Sequence, residues 1–171
     1  DTANTYTNGT LSEDTGDYTL LPSFRYLTHD EDRLIGAGSW ETSAQASRVV
    51  WSVVYGASGV GNDERQENDT TPYKDLDTYE HGQITGISTP LFGAIWVFKQ
   101  HAIYKLKRTG IRTNAYESEK YTDAMGALHG SVFSGMDESG QPCIYFLDFE
   151  AGPCRIGQGG IKRCGEDIRT T

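Results

Sequence analysis

Apolar residues in this chain come in short runs separated by polar turns, and no stretch sustains an apolar repeat near 3.6 residues. The longest run able to bury itself spans residues 84–106. It reads as a strand at Ala94-Ile95-Trp96-Val97-Phe98, a polar turn at Lys99-Gln100-His101, and a second strand over 102–106, which is the grammar of a β-hairpin. Upstream, strands over 23–27 and 33–37 flank a charged turn at 29–32. The run SRVVWSVVY, residues 47–55, predicts an inner, buried strand. Downstream, strands over 130–134 and 143–149 bracket a turn at 136–141, and Gly152-Pro153 turns the chain before Cys154-Arg155-Ile156. The expectation is an antiparallel all-β fold with little helix.

Two stretches break this texture. Residues 1–18 are rich in Thr, Asn, Asp and Gly and nearly devoid of large aliphatics, so they read as a flexible polar arm ahead of a β-rich region over 19–171. Residues 56–82 form an acidic insertion with seven acids and two bases, in which DLDTYEH has the makings of one helical turn.

The hairpin recurs. Ile95-Trp96-Val97-Phe98 answers to Ile144-Tyr145-Phe146-Leu147 at an offset of 49, and Ile103-Tyr104-Lys105-Leu106 answers to Pro153-Cys154-Arg155-Ile156 at an offset of 50. A weaker copy stands at Arg33-Leu34-Ile35 and Arg48-Val49-Val50-Trp51. Periods of 40 to 50 residues with several strands each signal propeller-like blades, which cover their apolar faces only by stacking. Trp96, Val97 and Phe98 are accordingly expected to pack against the strand at 144–147.

Net charge is −9, concentrated in residues 1–82 with 15 acids against five bases, while 83–171 hold nine acids and ten bases. Such a chain repels phosphate backbones, so no nucleic-acid partner is expected. No run approaches the roughly 20 apolar residues that span a bilayer, so no membrane is expected either. The opening stretch lacks a basic start followed by an apolar block. Cys143, Cys154 and Cys164 match no metal-binding spacing and read as buried free thiols.

Candidate chemistry is sparse. His29, His81, His101 and His129 are scattered, with no pair spaced to share a metal, and read as solvated or capping residues. Gly38-Ser39 and Gly130-Ser131 lack the glycine that completes a nucleophile elbow. Asp148 and Glu150, at i and i+2 on one predicted strand, share a face, the geometry a glycosidase needs; the plainer reading makes them solvent-facing ends of an edge strand. Residues 63–77 alternate acids with Asn and Gln but lack the glycine and the twelfth-position glutamate of a calcium loop. Trp40 and Tyr73 read either as contact anchors or as side chains packed back onto the blades. No catalytic residue, cofactor or metal is therefore assigned.

The motifs Ile103-Tyr104-Lys105-Leu106, GALHGSVF at 126–133, Ile144-Tyr145-Phe146-Leu147-Asp148, Gly152-Pro153-Cys154-Arg155-Ile156-Gly157 and GIKRCGEDI at 160–168 resemble the blades of tailed-bacteriophage virion proteins with β-propeller-like repeats. The resemblance covers about half the chain, residues 84–168. It implies a structural part of the tail, neck or tail tip, assembled in the host cytoplasm with other virion proteins and with copies of itself, and no enzyme activity. A carbohydrate-binding or glycoside-hydrolysing propeller module, or a host-receptor adhesion module, is the alternative.

Overall fold

The computed structural model of the chain describes residues 3–7, 10–14, 24–31, 33–39, 43–52, 73–111 and 114–164. Within them the fold is all-β, as the patterning predicts, with one short 3-10 turn at Ser43–Ser47. Strands β1 (Ala3–Thr7) and β2 (Thr10–Asp14) pair in an antiparallel ladder inside the predicted arm, an order its composition did not announce. Three four-stranded sheets follow, none of them closed. They are β3 (Phe24–Asp30), β4 (Arg33–Ser39), β5 (Arg48–Trp51) and β6 (Tyr73–Asp75); β7 (Ile84–Ile87), β8 (Ile95–Lys99), β9 (Ile103–Ile111) and β10 (Asn114–Thr122); and β11 (Phe133–Met136), β12 (Pro142–Asp148), β13 (Gly152–Gly157) and β14 (Gly160–Arg163). In each sheet the strands are neighbours in chain order, and every pairing is antiparallel.

The middle sheet is buried on both faces, which is why its second strand reads as one apolar run rather than an alternation. The two-residue period of a strand sends Ile95 and Val97, with Tyr104 and Leu106 of β9, against Ile35, Ala37, Val49 and Trp51 of the first sheet. Trp96, Phe98 and Ile103 face the other way, onto Ile144, Phe146, Cys154 and Ile156 of the third. Val97 therefore departs from the expectation that it joins Trp96 and Phe98, because adjacent strand residues cannot share a face. The offset of 49 preserves facing. Ile95 and Ile144 both look toward the preceding sheet, and Trp96 and Tyr145 both look away from it.

Besides β1 and β2, the sequence pattern did not mark β6, β10 or β14. The second half of β9 and all of β10 read as a polar, basic stretch, yet they form the longest hairpin. Only Ala115 and Tyr116 of β10 are buried, and its exposed Glu and Lys residues suit an edge strand that must refuse further pairing. The three-residue β6 lies inside the predicted insertion. The segment after it does not form a helical turn, because Asp77, Tyr79 and His81 adopt left-handed backbone angles that a right-handed helix excludes.

The first strands of the sheets approach one another. The Arg25 guanidinium on β3 donates to Gln83 Oε1 (3.0 Å), the Tyr26 hydroxyl and His129 Nδ1 share a hydrogen bond, and Gly130 N donates to Thr85 O on β7 (3.1 Å). Segment 126–132 crosses tightly over the middle sheet: a Cβ at Gly126 would stand 2.2 Å from the Gln100 carbonyl oxygen, so no larger residue fits there.

Candidate functional site

At the end of β8, the residue that sequence assigns to a polar turn is the most deeply buried charge among the described residues. Lys99 is 0 % exposed, and its ammonium donates to three backbone carbonyls of the connection from the first sheet: Leu76 (2.7 Å), Asp77 (2.9 Å) and Glu80 (2.6 Å). All three protons are thus satisfied, the condition for burying such a group. Loss of water pulls its pKa down to about 8, while the nearby Asp77 and Glu80 carboxylates push the other way. The loop around it turns through Asp77 (φ 41°), Tyr79 (φ 73°) and His81 (φ 57°), and the ammonium supports that strained path.

Forty-nine residues later, Asp148 holds the equivalent place in the third sheet and does the same work with the opposite sign. Its Oδ2 accepts from Gly126 N in the preceding connection (2.9 Å), and its Oδ1 accepts from Glu150 N and Ala151 N (2.9 and 2.7 Å). A cation gathers carbonyls in one repeat, and an anion gathers amides in the next. This corrects the reading of Asp148 and Glu150 as one solvent-facing edge. Asp148 is 7 % exposed on an inner strand, whereas Glu150 lies exposed in the following turn.

Two ionic clusters tie the first sheet to the second. The Asp77 carboxylate accepts from the Tyr104 hydroxyl (2.8 Å) and pairs with Lys120 (2.7 Å), and the Lys120 bond holds its pKa below the usual carboxylate value. Asp77, Glu80 and His81 bring their ligand atoms within 4.8 Å of one another, a grouping missed by looking only for histidine pairs. The Lys120 ammonium, 3.1 Å from His81 Nε2, already supplies the positive charge there. In the second cluster Asp30 accepts from Arg108 Nε (2.6 Å) and from the Tyr116 hydroxyl (2.8 Å), while Glu31 also bonds Arg108.

Burial, then the hydrogen bond to the carboxylate, raises the phenol pKa of both Tyr104 and Tyr116. The unfolded chain releases these protons near pH 10 and the folded one does not, so their stabilisation is complete below pH 10 and declines above it. A phenolate absorbance titration is expected to show some of the ten tyrosines lagging until the chain unfolds, with Tyr104→Phe and Tyr116→Phe each removing one late phenol. Uniform titration near pH 10 with the fold intact would refute this.

The remaining candidates fall to structural roles or outside the described residues. His29 and His101 are exposed, and His129 is bonded to Tyr26. Ser131 Oγ donates to Leu128 O and accepts from Leu147 N, closing a turn. Tyr73 is covered on one side by the Arg48 guanidinium, 3.8 Å from its ring centre, so it packs back onto its sheet; Asp75 receives a two-pronged bond from the same Arg48. Cys143 and Cys154 are buried free thiols, and burial raises the pKa of the half-buried Cys164. Trp40 and residues 63–72 lie outside the described residues.

Among the described residues, a groove of about 530 Å3 opens between the first two sheets, lined by Arg25, Ser39, Ser43, Tyr79, Gln83 and Gln100 among others, and a smaller one of about 240 Å3 lies beside Asp30 and Arg108. No single stretch of sequence announces the larger groove, because its walls come from β3, the end of β4, the 3-10 turn Ser43–Ser47, the loop around Lys99 and the β8–β9 turn. No helix of the described residues is long and apolar enough to cross a membrane. Comparison with known proteins finds no matching family model and no matching curated relative.

Proposed function

We propose that the chain is a structural component of a bacteriophage virion, at the tail, neck or tail tip, built of propeller-like blades and acting by assembly rather than catalysis. One observation carries the assembly reading. The outer face of the third sheet repeats the chemistry that the middle sheet buries. In the middle sheet the cross-strand pair Trp96 and Lys105, with Tyr121, forms an aromatic and cationic surface that the third sheet covers. In the third sheet the equivalent pair is Tyr145 and Arg155, with Phe133 stacked on Tyr145 at 5.2 Å. There Phe133 is 60 % and Leu147 38 % exposed. At the opposite end of the stack Leu27 and Leu34 of the first sheet are exposed as well.

A stack of sheets that exposes apolar side chains on both outer faces, at Leu27 and Leu34 and at Phe133 and Leu147, is a unit for joining to further sheets, supplied by other copies or by neighbouring virion proteins. The virion assignment itself is supported by the motifs of β9, β12, β13 and the 126–133 segment, which resemble phage blades. The net charge of −9 favours protein partners over nucleic acid.

Sedimentation equilibrium tests the assembly. The chain is expected to self-associate with concentration, and Phe133→Glu or Tyr145→Glu, both at the outer face, is expected to abolish association while leaving the circular dichroism unchanged. A chain that remains monomeric up to about 1 mM, where even weak contacts register, would count against it.

A further inference from the structure

We infer that the groove between the first two sheets is a saccharide-binding site for one pyranose unit, with Tyr79 as the stacking platform and Arg25, Gln83 and Gln100 as the groups that hold hydroxyls. The volume, about 530 Å3, is within the range of small-ligand sites. The lining combines two carboxamides, a guanidinium and serine hydroxyls, a set that offers donors and acceptors side by side as vicinal sugar hydroxyls require.

Tyr79 makes the stronger case. It is 83 % exposed and has φ 73°, so the turn carries a bulky aromatic into water in a conformation that L-residues avoid. Two features preorganise it. The Lys99 ammonium bonds the carbonyls of Leu76, Asp77 and Glu80 on either side of Tyr79, and His101 N bonds His81 O (3.1 Å). At the end of the same loop Gly82 has φ 75°, and a Cβ there would stand 2.0 Å from Gln100 Oε1, so glycine lets Gln100 close the wall. The Arg25 bond to Gln83 sets the orientation of both groups.

Other ligand classes fit less well. A phosphate-bearing ligand would meet one guanidinium on a chain of net charge −9, without a cradle of amides. A wholly apolar ligand would cover the carboxamides of Gln83 and Gln100 without offering them a hydrogen bond.

This inference does not depend on the assembly reading, because the groove is walled by two sheets of one chain and its test reads shifts at its own lining residues. Nitrogen-15 shift mapping of the full chain is the experiment, with glucose, galactose, N-acetylglucosamine and N-acetylneuraminic acid added in turn. At least one sugar is expected to give saturable shifts at Tyr79, Gly82, Gln83 and Gln100. Tyr79→Ala, a change at an exposed position, is expected to weaken that sugar at least about tenfold, the size of a lost aromatic contact. Gln83→Ala serves as a second variant with an unaltered turn and the same expected direction. The inference is overturned if none of the four sugars produces saturable shifts, if the shifts map to another surface, or if binding by Tyr79→Ala and Gln83→Ala equals that of the parent.

Discussion

Replacing Trp96 by alanine is expected to lower the unfolding free energy by about 3 to 5 kcal/mol, the usual cost of emptying a large aromatic site in a core. The ring is 3 % exposed, sits edge-on to Tyr121 with centres 5.0 Å apart, and lies in the cluster that joins the second sheet to the third. Its Nε1 donates to Leu91 O (3.0 Å), which also accepts from Ala94 N (3.2 Å), so truncation removes one of that carbonyl's two bonds as well. Neighbouring Val97→Ala opens the other interface instead, since it faces Ile35 and Val49. Equilibrium urea unfolding measures both. A loss under about 1 kcal/mol for Trp96→Ala would mean that the two sheets do not depend on this contact.

The second large effect concerns Lys99→Met, expected to destabilise by about 2 kcal/mol or more, because the Leu76 and Glu80 carbonyls lose this donor, each worth about 1 kcal/mol or more when left unpaired, while the Asp77 carbonyl keeps its bond from Glu80 N (2.9 Å). Lys105→Met is the control. That ammonium lies over the Trp96 and Tyr121 rings (4.9 and 4.4 Å) on a partly open face, and its loss is expected to cost about 1 kcal/mol or less.

The two variants separate in pH dependence as well. With a folded-state pKa of about 8 against 10.5 in the unfolded chain, Lys99 leaves the unfolded state holding more protons between those values, so stability rises with pH across that window. Lys99→Met is expected to flatten the rise, and Lys105→Met to preserve it. If both variants lose stability equally and keep the same pH profile, the carbonyl cage is not what holds the loop. A loosened loop would also release Tyr79, which links this residue to the shape of the groove.

Much of the strand framework was legible because its information is local. The run at Ile95, Trp96, Val97 and Phe98 has no polar position at which a face could meet water, and that alone marks a strand buried on both sides. The 49-residue offset carried real structural content, since it maps residues to equivalent faces. Where one face is solvated and the strand is at an edge, as in β10, charge hides the period; where a strand is three residues long, as in β6, there is no period to read.

What the sequence by itself determined is the all-β class and the repeat that makes one sheet the cover of the next. Only the tertiary structure decided that Lys99 and Asp148, one read as turn and the other as edge, are buried partners of the preceding connection. It also decided that Asp77 meets Tyr104 and that Arg25, Tyr79, Gln83 and Gln100 share a groove. The reason is physical. Period and propensity report which side of a strand meets water, whereas the partner of a buried polar group depends on which distant backbone the stacking of sheets brings within about 3 Å.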